Sequence, residues 1–501
     1  MRSKDQNGLR NLSREKLWWH LGVPLVFLVL MLGFYPFRAT FEMDLDEGVN
    51  LMKGMLVVRG YTLYSQIWSD QPPLFTHMLA VLFRLVGFEV NAARVMVLIL
   101  SGVLLWAGCL YLRMIWGKTA ALIGLITILL LPTYLNLSVS VMVGLPALAF
   151  AMLSLLSLIA WHLQRQPVWF SLSAIALSLS VLTKLFTGFL APVFVIGITL
   201  DEFAHASRPI RGWHILKMPV LWSGIFGGVT LLGVLALVGP VNLDQLIEPH
   251  LMAGQTGYFE AYGKSYTLWT HLAKAWPILA LALVGEGIAI FERRWLAVYP
   301  FAWMVTATLL LANHTPVWSH QQLLVTLPSA LLAVGAVGQA MEWASQGLRA
   351  GNRSVGRSLV LGAVLLSLAW VLWARVPETF NLFTADQTGL KETSTEYQFM
   401  KRMEKYSQET KWVVTDLPMY AFRVGLPVPP NLAVFTSKRV ASGNINEAEV
   451  LDTIKVLKPK QVMIGRFKFP DLEVYLDENY RLVLSRGDQR LYLWKDQSIN
   501  P

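Results

Sequence analysis

Four carboxylates crowd into one short stretch, Phe41-Glu42-Met43-Asp44-Leu45-Asp46-Glu47-Gly48. Acids held together and partly removed from water can bind a cation or act as general bases, because burial and mutual repulsion move their proton affinity toward neutrality. The same acids suit a plainer role. Negative charge is favourable at a helix N-terminus, and a helix beginning near Glu47 with later turns through Val49–Val58 would be capped by them. Spacing alone leaves both readings open.

The elements that must position this stretch follow from the hydrophobic pattern. The chain has 501 residues, 54% of them hydrophobic and 15% charged, where a soluble domain carries about 25% charge. Apolar runs such as Val95–Leu112, Ala120–Leu131 and Leu359–Ala374 recur between Leu17 and Trp373, each approaching the ~20 residues that cross a bilayer. From Arg375 onward the composition is that of a soluble protein. The expected fold is mainly α: a polytopic transmembrane bundle over residues 1–374 with about eleven spans and interfacial helices, then a C-terminal soluble α/β domain over 375–501.

The net charge of +10 does not point to nucleic acid, because the excess lysine and arginine fall in short loops between apolar runs. The single cysteine, Cys109, lies inside an expected span and offers no disulfide or cysteine-based zinc site within one chain. Arg2, Lys4, Arg10, Arg14 and Lys16 precede the first apolar run, and Tyr35-Pro36-Phe37-Arg38 after it is a poor cleavage site; the run reads as a retained first span.

Loop charge gives the bundle a direction. Leu74–Val86 is only about 13 residues long, too short to cross comfortably, and it contains His77 and Arg84. It reads as a helix at the outer interface. With that choice, Arg113 and Lys118, Arg165, Arg208, Arg211 and Lys217, Arg293-Arg294, and Arg349, Arg353 and Arg357 all fall on inner loops. The first loop (38–73) and the C-terminal domain then lie outside. The expectation is a multi-pass protein of the cell (plasma or inner) membrane, N-terminus cytoplasmic and C-terminal domain extracytoplasmic.

In the tail, Trp412–Val414 and Gln461–Ile464 read as buried strands and Glu447–Leu457 as an amphipathic helix. Leu482–Leu484 and Leu491–Leu493 read as a hairpin around Arg486-Gly487-Asp488. The tail has no Walker loop, dinucleotide fingerprint or metal-ligand cluster. A further outer loop, Val241–Leu268, carries His250, Tyr258, Tyr262 and Tyr266 among glycines; it suits a flap over a site or an interfacial aromatic belt. Arg84 and Arg94 flank Gly87-Phe88-Glu89, which offers Glu89 as their partner.

The far end of the first loop is Trp68-Ser69-Asp70-Gln71-Pro72-Pro73-Leu74. An acidic pair soon after the first span, a helical stretch ending in Arg59-Gly60, an aromatic segment and a polar pair before Pro-Pro-Leu together resemble the first loop of GT-C glycosyltransferases. The pattern is similar to the group holding the protein O-mannosyltransferases and the lipid A aminoarabinose transferase. It continues at Gly87–Arg94, Leu182-Thr183-Lys184, Pro316–His320, Thr415-Asp416-Leu417-Pro418 and Pro429-Pro430.

The resemblance implies an inverting transfer of a hexose or pentose from a polyprenyl-phosphate donor to a protein, lipid or glycan acceptor on the outer face. The family's general base matches Asp46, with Glu47 second and Asp44 a neighbouring competitor. The acceptor oxygen loses a proton as it attacks, and the lipid phosphate leaves as an anion, so cations must steady it. Outer-side candidates are Lys184, Arg59, Lys264 and His320, with Gln71 beside them. Lys184 lies between two apolar runs, where a lysine either snorkels to the interface or faces a polar cavity. His320, beside Trp318, is equally an interfacial residue. Relatives carry a Lys or His immediately before Pro-Pro, and this chain departs from them with Gln71, which donates a hydrogen bond but brings no charge. Clustered acids can hold Mg²⁺ or Mn²⁺, but no metal or other cofactor is expected. The alternative is a multi-span transporter or flippase, which would place polar groups at mid-membrane and often shows internal repeats; neither is visible. A ligand sensor would leave the acidic loop unexplained.

Overall fold

The computed structural model describes residues 17–205, 212–239, 244–252, 259, 267–350, 355–384 and 390–495. Seven helices are long and apolar enough to cross a membrane, among them Val90–Trp116, Gly144–Gln164 and Leu361–Phe383, and five shorter apolar helices accompany them. Among the described residues these are twelve apolar helices, of which seven have the length to cross, against the eleven spans expected from the apolar runs. This is a multi-pass, mainly α membrane protein. Lys264 and most of the proposed flap over Val241–Leu268 lie outside the described residues.

Leu74–Val86 is a helix of 13 residues, about 20 Å long against a hydrocarbon core of ~30 Å. Its face Phe75, Leu79, Ala80 and Phe83 is buried while Val81 and Leu85 on the other side are exposed, the pattern of a helix with one covered stripe. The stripe is covered by the first loop. That loop holds a second helix, Leu45–Val58, which begins where the acids cluster. Asp44 caps it, its Oδ1 accepting the Asp46 N–H at 3.0 Å. Leu51, Met52, Met55 and Leu56 are fully buried, so the loop is a packed element as well as a capped one.

The C-terminal unit is a four-stranded sheet with helices. β1 (Val413–Thr415) pairs in parallel with β2 (Gln461–Ile464), which pairs antiparallel with β4 (Gln489–Trp494), and β3 (Tyr480–Arg486) closes the hairpin, giving the order β1-β2-β4-β3. The parallel pair needs a crossover, and it contains the helix Glu447–Leu457 at the bounds its periodicity predicts. The preceding long helix runs Val355–Thr384, past the end of its apolar run at Ala374; helical hydrogen bonding continues without an apolar sequence, and Arg375 is anchored by Glu378 and the Lys274 carbonyl.

This unit does not hang free of the bundle. A continuous core joins Leu51, Met52 and Met55 of the first loop and Phe75 and Leu79 of the short helix to Phe399, Val413 and Met419 of the C-terminal unit. At Gly48 the approach is closest: an added Cβ would lie 2.6 Å from the Met419 nitrogen. Only glycine admits a backbone that near. Arg423 reinforces the junction by donating to the carbonyls of Thr40 and Phe41.

Candidate active site

Between the first-loop helix, the bundle and the C-terminal unit lies a cavity of about 210 Å³. One wall is a single helical face, since Asp46, Val49, Asn50 and Lys53 recur at three-to-four-residue spacing and all line it. Asp44 and Gln71 line it from the loop, Lys184 and His320 from the bundle, and Lys438 and Arg466 from the C-terminal unit.

Glu47 and Arg59 are not among the lining residues. Glu47 is fully buried and holds Arg94, with Oε2 to Nη2 at 2.6 Å and Oε1 to Nε at 2.9 Å. Its carboxylate also accepts the N–H groups of Met43 and Val141. Arg94 thus pairs with Glu47 rather than Glu89, and its remaining N–H groups bind the carbonyls of Phe37, Thr40 and Phe41. Arg59 caps the far end of the helix, donating to the Gly425 carbonyl at 2.9 Å with its guanidinium 5.7 Å from the Phe88 ring centre.

The remaining groups form two sets of opposite charge. Burial, then the neighbouring Asp46, pushes the Asp44 carboxyl up to about 6. Burial also raises Asp46, opposed first by the Arg466 guanidinium. Burial lowers Lys53, and it lowers Lys184 to about 8, with Lys438 adding to the effect at Lys184. Lys53 and Lys184 are 1% and 7% exposed, and among the described residues neither ammonium makes a hydrogen bond or an ion pair. Buried, unpartnered lysines beside carboxyls of raised proton affinity are the arrangement found where proton transfer and anion stabilisation occur together.

Lys438 is more constrained. Its ammonium lies 2.9 Å from Asp70 Oδ2 and 2.8 Å from His250 Nδ1. An ammonium only donates, so Nδ1 accepts and Nε2 carries the proton it gives to the Asp70 carbonyl at 3.2 Å. That neutral ring agrees with burial, then Lys438, depressing His250 to about 4. Burial works to raise Asp70, but Lys438 overrides it and holds the carboxyl well below the usual range.

The sequence reading missed Lys53, Lys438 and Arg466, and left Asp70 and His250 without roles. Lys53 carried a signal, standing seven residues after Asp46 on the same helical face; Lys438 and Arg466 carried none. Among the described residues no group of three or more His, Cys, Asp or Glu side chains is arranged to hold a metal ion.

The sequence profile of the dolichyl-phosphate-mannose-protein mannosyltransferase family matches residues 70–236. No curated protein sequence is significantly similar to the chain. Among solved structures, ArnT from Cupriavidus metallidurans bound to undecaprenyl phosphate is similar with a TM-score of 0.62 at 13% identity, over 98% of this chain and 100% of the other. The archaeal oligosaccharyltransferase AglB from Archaeoglobus fulgidus, in complex with an inhibitory peptide and a dolichol-phosphate, gives a TM-score of 0.51 at 13% identity, over 97% of this chain and 75% of the other. The chain has the GT-C fold. Within that GT-C architecture, the matched segment 70–236 begins at Asp70 in the cavity wall and runs past Lys184.

Proposed function

We propose that this GT-C protein is an inverting glycosyltransferase that moves a sugar from a polyprenyl-phosphate donor to an acceptor hydroxyl at the outer membrane face. The observation that carries the reading is the shared cavity: the carboxyls of Asp44 and Asp46 line the same space as the ammonium groups of Lys53 and Lys184. Asp46 takes the acceptor proton, the acceptor oxygen bonds to the anomeric carbon, and the bond to the phosphate oxygen breaks with its electron pair. Attack and departure on opposite faces of the sugar invert the anomeric centre. Lys53, Lys184, Lys438 and Arg466 stabilise the charge that appears on the departing phosphate, and fixed cations in a water-poor site do so without reorganising. His320 and Gln71 add hydrogen-bond donors to the same wall.

Proteoliposomes holding the purified protein, supplied with polyprenyl-phosphate sugars and cell-envelope acceptors, test this. The expected result is release of polyprenyl phosphate coupled to glycosylation and lost in Asp46→Asn. Full turnover in a folded Asp46→Asn protein would remove Asp46 as the base, and solute flux without transfer would favour a transporter instead.

A further inference from the structure

The C-terminal unit sends Arg466 into the cavity on a loop held by an unusual support. Asp416 directly follows β1 and Gly465-Arg466-Phe467 directly follow β2. The two strands are parallel neighbours, so their carboxyl-terminal ends lie side by side, the position where loops of such sheets build sites. Asp416 is 2% exposed and accepts three main-chain N–H bonds, from Gly465 at 3.0 Å, Arg466 at 2.7 Å and Phe467 at 2.8 Å. Three donors on one buried carboxylate fix the backbone at Arg466. The loop has little freedom to move, because a Cβ at Gly465 would lie 2.9 Å from Gln489 Cγ and 3.0 Å from Leu417 Cδ1. Beyond the backbone, the guanidinium is held on one side by Ser437 Oγ at 3.2 Å and stands 5.3 Å from the Phe467 ring centre. Among the described residues it has no other side-chain hydrogen bond, and Arg466 is one of the residues that line the cavity. The segment that carries Asp416 also reaches the acids: Met419, three residues on, abuts Gly48, two residues beyond Asp46.

Resting on the reading of Asp46 as the base, we propose that the C-terminal unit is part of the reaction centre: Arg466 is the charge set against Asp46, and Asp416 is the positioning residue that fixes it there. The physical consequence is specific. Burial disfavours the ionised Asp46, and Arg466 is the foremost charge opposing that, ahead of Lys438 and Lys53, while Asp70 works against it. Asp44 and Lys184 are further charged groups among the described residues that act on Asp46. A unit that only braced the bundle would leave Asp46 indifferent to Arg466.

A test that needs no sugar donor is the pH dependence of carbodiimide labelling at Asp46, followed by peptide mass spectrometry on the full-length protein in detergent. The reagent attacks the protonated carboxyl. Removing a cation that favours the ionised form moves the labelling midpoint to higher pH, and a charge at close range is worth about one pH unit. Arg466→Gln is expected to shift the midpoint upward by about that amount, Asp416→Ala to shift it in the same direction, and Lys468→Gln on the exposed side of the loop to leave it unchanged. Where Asp416→Ala does not yield a monodisperse protein, Asp416→Asn takes its place, and Arg466→Gln tests the charge independently of that support. An unmoved midpoint in folded Arg466→Gln overturns the proposal. A shift in Arg466→Gln with none in the folded Asp416 variant overturns the role of Asp416. Absence of sugar transfer by the wild type would sink the glycosyltransferase reading while leaving the labelling result intact.

Discussion

Glu47 and Arg94 form an ion pair whose two side chains are fully excluded from solvent, with Nη2 2.6 Å from Oε2. The pair binds the entry of the first loop to the start of the helix Val90–Trp116, and backbone groups satisfy what the pair leaves over. Successive side chains on a helix point about 100° apart, so the orientation that buries Glu47 against Arg94 presents Asp46 to the cavity.

The two adjacent acids therefore fail differently. Replacing Glu47 by Gln leaves Arg94 buried without its counter-charge, a loss of about 3–5 kcal/mol in comparable buried pairs. Thermal unfolding in detergent is expected to show a large drop in midpoint for Glu47→Gln and little change for Asp46→Asn, with activity lost in both. An Asp46→Asn protein that unfolds as readily as Glu47→Gln would make Asp46 a structural residue.

The rate should follow a bell-shaped pH profile. A base works ionised, and burial raises the Asp46 carboxyl above its ordinary value. Activity is therefore lost as pH falls at a point above the ~4 of a free aspartate. The cation works protonated, and Lys184 is depressed to about 8 by burial and then Lys438. Activity is lost as pH rises through that region, below the ~10.4 of a free lysine. The limbs belong to interacting groups rather than to single residues. Lys184→Arg keeps its charge at all accessible pH and is expected to move the alkaline limb of kcat/KM upward; an unmoved limb would place its origin elsewhere.

What the sequence conveys follows from which forces are local. Apolar runs declare themselves because lipid requires a continuous apolar surface, and strands such as Gln461–Ile464 because both faces are buried. The acidic cluster at Asp44–Glu47 was visible as a cluster, but its division of labour was not, since nothing near Glu47 in sequence announces Arg94. Arg59 looked available because it follows an apolar helix, yet the docked C-terminal unit supplies the Gly425 carbonyl that occupies it. Lys438 and Arg466 reach the cavity only through that docking, across several hundred residues of chain, and no periodicity records it.

Gly48→Ala should uncouple the two halves of the cavity. The new Cβ would fall 2.6 Å from the Met419 nitrogen and 2.9 Å from its Cα, backbone atoms that cannot swing aside. Relief requires a shift of the helix Leu45–Val58 or of the C-terminal unit, at a cost of about 1–3 kcal/mol for overpacking. The expected outcome is a lowered unfolding midpoint and a turnover loss larger than instability explains. Gly362→Ala, where a Cβ meets nothing within 4 Å, serves as the comparison. Unchanged turnover in Gly48→Ala would mean that the approach of Met419 does not set the geometry of Asp46.

The direction of the bundle decides which compartment reaches the cavity. In the orientation expected from loop charge and carried by the proposed function, the N-terminus is inside and the junction of the first loop with the C-terminal unit faces out. Cys109 is the only cysteine in the chain and is 3% exposed, so one introduced thiol reports on location without further changes. Val456, on the helix Glu447–Leu457, is 80% exposed. Val456→Cys is expected to react with a membrane-impermeant maleimide in cells opened only at any outer barrier, while the wild type does not react. Reaction only after the inner membrane is breached would put Asp46, Lys184 and Arg466 on the cytoplasmic side, where a sugar carried on a lipid phosphate would have to be met before it crosses.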